Sequence, residues 1–214
     1  WRGDMENKNM KRYFVTGIGT NIGKTIVSAI LTEALEADYW KPIQAGDLEH
    51  TDSFKVKDLI SNSTSKIHPE TYRLNKPMSP HAAAKLDNIT IDLEKIELPK
   101  TTNNLIIEGA GVLMVPLNNK DFIIDLIKKL DVEVILVSQN YLGSINHTLL
   151  SLEILKSNHI KVKGVIFNGE ENLETEQFIL NYSGVKFLGR VKQHQSIDKT
   201  VILHYKNQFN FNAE

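Results

Sequence analysis

Gly17-Ile18-Gly19-Thr20-Asn21-Ile22-Gly23-Lys24-Thr25 lies directly behind an apolar run, Tyr13-Phe14-Val15, and ahead of a segment with helical spacing. A Gly-rich turn between a strand and a helix N-terminus gathers backbone N–H groups on an anion. In such a phosphate-binding loop Lys24 reaches the β- and γ-phosphates of a nucleotide, and the Thr25 hydroxyl faces Mg2+. The spacing is unusual: five residues separate Gly17 from Gly23, and Ile18 stands where a glycine is expected. A strand-to-helix turn without a ligand is the competing reading. The agreement of Gly23-Lys24-Thr25 with a strand before and a helix after favours the loop.

Outward from the loop the chain alternates short strands with helices. Lys11–Thr16 reads as a strand. Lys24–Glu36 carries Ile26, Val27, Ile30, Leu31 and Leu35 at helical spacing. Tyr39-Trp40 starts a short second strand ended by Pro42, and Asp52–Ile60 reads as a helix with Asp52 near its start. Asn104–Glu108, Glu133–Ser138 and Val162–Asn168 are nearly continuous apolar runs, as strands covered on both faces are. Helical patterns fill Phe122–Leu130 and Ile145–Lys156 between them. The acidic, amide-rich stretch Gly169–Glu176 reads as an exposed loop leading into a helix. The pattern predicts a three-layer α/β fold of the P-loop type, a mainly parallel sheet flanked by helices.

Composition narrows the function. The chain has 214 residues, 25 Lys and Arg against 26 Asp and Glu, a net charge of −1 and no cysteine. Disulfides and thiolate metal sites are excluded, and no basic footprint for nucleic acid is present. No apolar run approaches the length of a membrane span, and Trp1–Asn9 lacks the apolar core of a signal peptide. Residues 1–10 read as a disordered leader or tag remnant and 11–214 as a single domain, with the cytoplasm as the expected compartment.

In sheets of this kind ligands bind beyond the carboxyl ends of the strands. Glu108 ends one apolar run and opens Glu108-Gly109-Ala110-Gly111, where small residues let backbone approach a phosphate. Its carboxylate is placed either to bind Mg2+, a hard cation that takes oxygen ligands, or to pair with a neighbouring donor on a tight turn. Asn168 ends another run and either reads a nucleobase edge or closes a turn. Lys41-Pro42-Ile43-Gln44 follows the second strand, and Pro42 would aim Lys41 at the same rim, although a lone lysine there is usually a solvated charge. Ser79-Pro80-His81 is a plausible helix start, with Ser79 near the N-cap and Pro80 in the first turn. Taken alone, His81 is more often structural than catalytic.

Taken in order, these segments resemble the dethiobiotin synthetase family from about Lys11 to about Gly189. Lys11–Gly17 resembles its first strand, and Thr20-Asn21-Ile22-Gly23-Lys24-Thr25 its T-x-x-G-K-T loop. Lys41-Pro42, Asp52, Ser79-Pro80-His81, Glu108-Gly109-Ala110-Gly111 with Val115-Pro116-Leu117, and Leu142-Gly143-Ser144-Ile145-Asn146-His147 follow in family order. The resemblance implies an ATP- and Mg2+-dependent cyclo-ligase that carboxylates 7,8-diaminopelargonic acid with CO2 or bicarbonate and closes the ureido ring. Thr25, Asp52 and Glu108 are the implied metal ligands. Lys41, Lys24 and Thr20 are the implied catalytic residues. Asn21, Ile22, Gly23, Ile26, Gly109, Ala110, Gly111, Asn168, Gly169, Lys192 and Gln193 are implied at the nucleotide. Thr20, Lys41, Ala45, Leu142, Gly143 and Asn146 are implied at the substrate, whose carboxylate the family holds across a homodimer interface. Neither nucleic acid nor membrane is an implied partner.

The sequence also departs from the family. Ala45 stands where many members carry Ser or Thr, Gly19 replaces a frequent Asp, and Val112 a usual third glycine. Gly169 follows Asn168 where Asp is common. Gly189-Arg190-Val191-Lys192 replaces a typical G-E-I-P stretch beside the adenine, which leaves CTP as a second candidate nucleotide. Two other classes share part of this pattern. Amide-forming synthetases of the cobyrinate type normally carry a glutaminase cysteine, which this chain lacks. MinD/ParA-type nucleotide switches carry an early loop lysine where Ile18 and Gly19 stand here, and often a basic tail, whereas Asn207–Glu214 is not basic.

Overall fold

The computed structural model describes residues 10–209. All of the expected leader (1–10) but Met10, and the end of the non-basic tail, 210–214, lie outside the described residues. Strand β1 (Arg12–Gly17) sits at the centre of a seven-stranded sheet. On one side lie β6 (Leu105–Val112), β2 (Asp38–Trp40) and β4 (Ile67–His68). On the other lie β7 (Glu133–Gln139), β8 (Val162–Asn168) and β9 (Phe187–Val191). Every pair in this sheet is parallel. A second parallel pair joins β3 (Ile43–Ala45) to β5 (Tyr72–Leu74).

Alternation along the strands explains the layers. Tyr13 and Val15 enter one apolar core while Phe14 enters the other, and Ile106 opposes Leu105 and Ile107 in the same way. The first core is closed by α1 (Lys24–Ala34), α2 (Asp52–Leu59), α6 (Leu173–Ser183) and α7 (Lys199–Tyr205). The second is closed by α3 (Pro80–Leu86) and α4 (Ile123–Leu130). Helix α5 (Ser144–Ser157) gives Leu152 to the first core and Leu155 to the second. No helix among the described residues is long and apolar enough to cross a membrane.

The expected strands and helices are present, with corrections at their ends. Helix α1 stops at Ala34, because Leu35 caps it and Glu36 takes a positive φ of 47°. Strand β6 does not end at Glu108. It runs on through Gly109-Ala110-Gly111 to Val112, which pairs with Gly17 across a register shift. Helix α6 begins inside the stretch read as a loop, and Glu176 is buried rather than exposed. Asn172 caps that helix by accepting the Thr175 N–H at 3.0 Å, and its own N–H donates to Glu176. Ser79 and Pro80 do start a helix, with Pro80 in its first turn. Strands β3, β4, β5 and β9 and helix α7 had no counterpart in the sequence reading.

Candidate functional site

The phosphate-binding loop leaves the carboxyl end of the central strand, between β6 and β7. That is the position where such sheets bind ligands. Gly23 caps α1 with φ 90°, in the left-handed region. A Cβ there would also lie 2.3 Å from the Asn168 amide nitrogen, so glycine is required twice over. Asn168 in turn donates to the Ile22 carbonyl at 2.8 Å, which ties the end of β8 to the loop. Lys24 donates to the Gly19 carbonyl at 3.0 Å.

Around the loop the sheet end gathers charge. Lys41 leaves β2 into Pro42, and its ammonium donates to Asp52 Oδ2 at 2.5 Å and to Glu108 Oε1 at 3.1 Å. It is 5% exposed, so it is not a solvated surface charge. Glu108, 1% exposed, also accepts from the Thr25 hydroxyl at 2.8 Å through Oε1 and from the Tyr39 hydroxyl at 2.8 Å through Oε2. Asp52 opens α2 behind the cap Thr51, which accepts the Phe54 N–H. Gln44 holds that helix start by accepting the Asp52 N–H and donating to the Gly46 carbonyl.

Burial and charge pull against each other here. Burial alone would lower the pKa of Lys41, but the Glu108 and Asp52 carboxylates outweigh it and the pKa is raised. Burial would raise Asp52, and the Lys41 ammonium outweighs it and lowers the pKa. Lys24 goes the other way: burial lowers it, and Lys41 adds to the lowering against the pull of Glu108 and Asp52. Two ammonium groups and two carboxylates therefore share one partly dehydrated space.

The structure thus brings together Lys24, Thr25, Lys41, Asp52 and Glu108. Thr20 and Asn21 lie exposed on the loop, Ile22 is buried, and Ala45 is half-buried at the end of β3. Gly109, Ala110 and Gly111 extend β6 beside the loop. Lys192 and Gln193 are exposed beyond β9, and the Lys192 N–H donates to the Tyr205 hydroxyl. Gly143, with φ 100°, caps α5, and Leu142 and Asn146 are exposed beside it. From the same turn Tyr141 leans toward the loop: a Cβ on Gly19 would lie 4.0 Å from its hydroxyl. His81 lies in another place, lining a groove of about 1150 Å³ with Lys85, Asp92 and Lys120.

Two groups of residues escaped the sequence reading. Tyr39 looked like strand filling, and its partner stands 69 positions away. Arg190, in the stretch that replaces the family's adenine-lining residues, is bound to Glu176, lies 3.6 Å from Glu171 and sits 5.9 Å over the Phe167 ring. Asn140 completes that cluster by donating to Glu176 and to the Glu170 carbonyl. The acidic composition of Gly169–Glu176 was the one available signal.

Among the described residues no group of three or more His, Cys, Asp or Glu is arranged to hold a metal. The donors at the sheet end are two carboxylates and one hydroxyl. That set suits a hard cation which brings phosphate oxygens and water as its remaining ligands, the habit of Mg2+.

A family model described as an AAA domain matches residues 11–201. The chain is similar to the ATP-dependent dethiobiotin synthetase BioD of Christiangramia forsetii, 56% identical over 93% of this chain and 96% of that relative. It is likewise similar to the protein of the same name from Cytophaga hutchinsonii, 54% identical over 92% of this chain and 95% of that relative. Among solved structures, the cell division ATPase MinD of Pyrococcus furiosus superposes with a TM-score of 0.63 at 13% identity. It covers 92% of this chain and 97% of its own, a likeness of fold.

Proposed function

The chain belongs to the dethiobiotin synthetase family, and from that premise we propose how its own residues carry out the reaction. Its function is the ATP-dependent synthesis of dethiobiotin in biotin biosynthesis, from 7,8-diaminopelargonic acid and CO2. The cytoplasm, where ATP is supplied, is the proposed compartment. MinD/ParA-type switches share the fold alone.

The observation that carries the mechanism is the buried Lys41 ammonium between Asp52 and Glu108, facing the same space as Lys24. A substrate amine combines with CO2 to give a carbamate and a proton. Lys41 attracts that carbamate and holds its oxygen in line with the γ-phosphate, so positioning supplies much of the rate. Carbamate oxygen displaces ADP from the γ-phosphorus, giving a carbamic–phosphoric anhydride. The second amine then attacks the carbonyl carbon, phosphate leaves, and the cyclic urea closes with loss of a proton. Lys24 and the loop amides from Asn21 to Ile26 hold the nucleotide phosphates and meet the charge that develops on transfer. Mg2+, held by Thr25, Asp52 and Glu108, would neutralise phosphate charge. Thr20 lies near the attacking amine, and Gly109-Ala110-Gly111 bounds the phosphates.

The nucleotide base is assigned to the rim formed by Asn168, Gly169, Lys192 and Gln193, with ATP as substrate and CTP as an accepted alternative. The substrate carboxylate is assigned to the α5 start of a second copy, through Leu142, Gly143 and Asn146. The full exposure of Leu142 supports a covered position in a homodimer. Neither nucleic acid nor a membrane enters this reading.

The reading is tested by incubating the purified chain with ATP, Mg2+ and bicarbonate, with and without the diamine. Phosphate release should require the diamine and be matched by dethiobiotin formed. Phosphate release indifferent to the diamine contradicts the reading.

A further inference from the structure

Glu108 lies among three donors that differ in kind. Thr25, at the start of α1 behind the phosphate-binding loop, and Lys41 both reach Oε1. Tyr39 alone reaches Oε2, at 2.8 Å. Tyr39 is fully buried on β2, beside β6, so its ring cannot swing away without opening the first core. The hydroxyl is therefore held in place as a donor to Oε2.

We propose that Tyr39 is a positioning residue for the reaction: its hydroxyl occupies Oε2 of Glu108 and so presents Oε1 alone to the divalent cation. A carboxylate free to rotate would offer either oxygen, or both, to the cation. It would also let go of Lys41 whenever it turned. With Oε2 pinned, the carboxylate binds through one edge, and that edge is already shared with Thr25 and Lys41. Groups that hold a ligand in place are worth about 10–100-fold in metal affinity or activity. This inference rests on the reading of Glu108 as a metal ligand.

Tyr39→Phe removes one oxygen and keeps the ring, so the core stays filled. Mg2+ is titrated into the ADP complex of the wild type, Tyr39→Phe and Glu108→Gln, and ADP binding is measured without metal. The expected result is Mg2+ binding weakened about 10–100-fold in Tyr39→Phe, with metal-free ADP affinity unchanged. A lower melting temperature with unchanged Mg2+ affinity would make Tyr39 a core residue and overturn the proposal. If Glu108→Gln also binds Mg2+ normally, the failure lies in the ligand assignment beneath it. Should Tyr39→Phe not fold, ring-labelled tyrosine in the wild type decides by nuclear magnetic resonance. The Tyr39 signal is expected to shift when Mg2+ enters the ADP complex, and an unmoved signal overturns the proposal.

Discussion

Two carboxylates on adjacent parallel strands, Asp38 and Glu108, are equally buried, at 1% exposure each, and have opposite surroundings. Asp38 opens β2 at the end of the sheet away from the loop. It accepts the Lys66 N–H at 3.0 Å, the Thr101 hydroxyl at 2.7 Å and the Asn103 amide at 3.2 Å, and pairs with His68 at 2.8 Å. Glu108 lies toward the loop end and is held by Thr25, Tyr39 and Lys41. The first set pins an edge strand and a connection to the sheet. The second includes an ammonium and a hydroxyl that we assign to the carbamate and to the metal. Burial of a carboxylate does not mark a site; donors that can be handed to a ligand do.

The largest expected effect falls at the loop end. Glu108→Gln and Asp52→Asn each remove a charge beside a transferring phosphoryl group, and turnover should fall by about 10²-fold or more. Steady-state rates at ordinary Mg2+ concentration check this. Wild-type rates in both variants would erase the distinction between the two carboxylates.

Asp38→Asn should behave in the opposite way. It sets an amide donor against donors where a carboxylate oxygen had accepted, which costs about 1–3 kcal/mol of stability, while turnover per folded molecule stays unchanged. Burial pushes the Asp38 carboxyl up, but its hydrogen bonds, led by the Lys66 N–H, outweigh this and hold its pKa below the ordinary value. A depressed folded pKa gives stability that is whole above the unfolded value, about 3.9, and is lost as pH falls through the folded one. Urea unfolding from pH 7 downward should therefore show the wild-type advantage shrinking only below about pH 3.9. An advantage constant down to the folded pKa would mean that the hydrogen bonds act without the charge.

The same contrast shows what the sequence made legible. Gly17–Thr25, the alternation of Tyr13, Phe14 and Val15, and the apolar runs behind Glu108 and Asn168 report local period, and the sheet followed from them. So did Lys41, because Pro42 stiffens its exit from the strand. The three-residue strands β3 and β5 are too short to show a period, and they pair across 29 positions. Val112 extends β6 because Gly17 pairs with it, a partner that no local pattern names. Arg190 and Glu176 looked like a departure from the family's adenine-lining stretch and a loop residue, and only their meeting across β9 and α6 reveals a clamp. Tyr39 was invisible for the same reason.

The smallest effect concerns the base. Arg190 is held by Glu176 and Glu171 and by the Gly169 carbonyl at 3.4 Å. It is not free to read a nucleobase edge. ATP and CTP should differ by less than about tenfold in kcat/KM, equivalent to about 1.4 kcal/mol. Competition between the two nucleotides checks this, and a hundredfold preference for ATP would show that other groups at that rim discriminate.

The most direct test of the account sets Lys41 against Lys24. Nucleotide affinity and diamine-dependent phosphate release are measured together in Lys41→Gln and Lys24→Gln. A donor aimed at developing charge contributes about 2–4 kcal/mol to turnover. Lys41→Gln should therefore lose that much in phosphate release and keep its nucleotide, while Lys24→Gln loses nucleotide affinity as well. If Lys41→Gln sheds nucleotide as badly as Lys24→Gln, Lys41 is a phosphate ligand and the carbamate assignment is wrong.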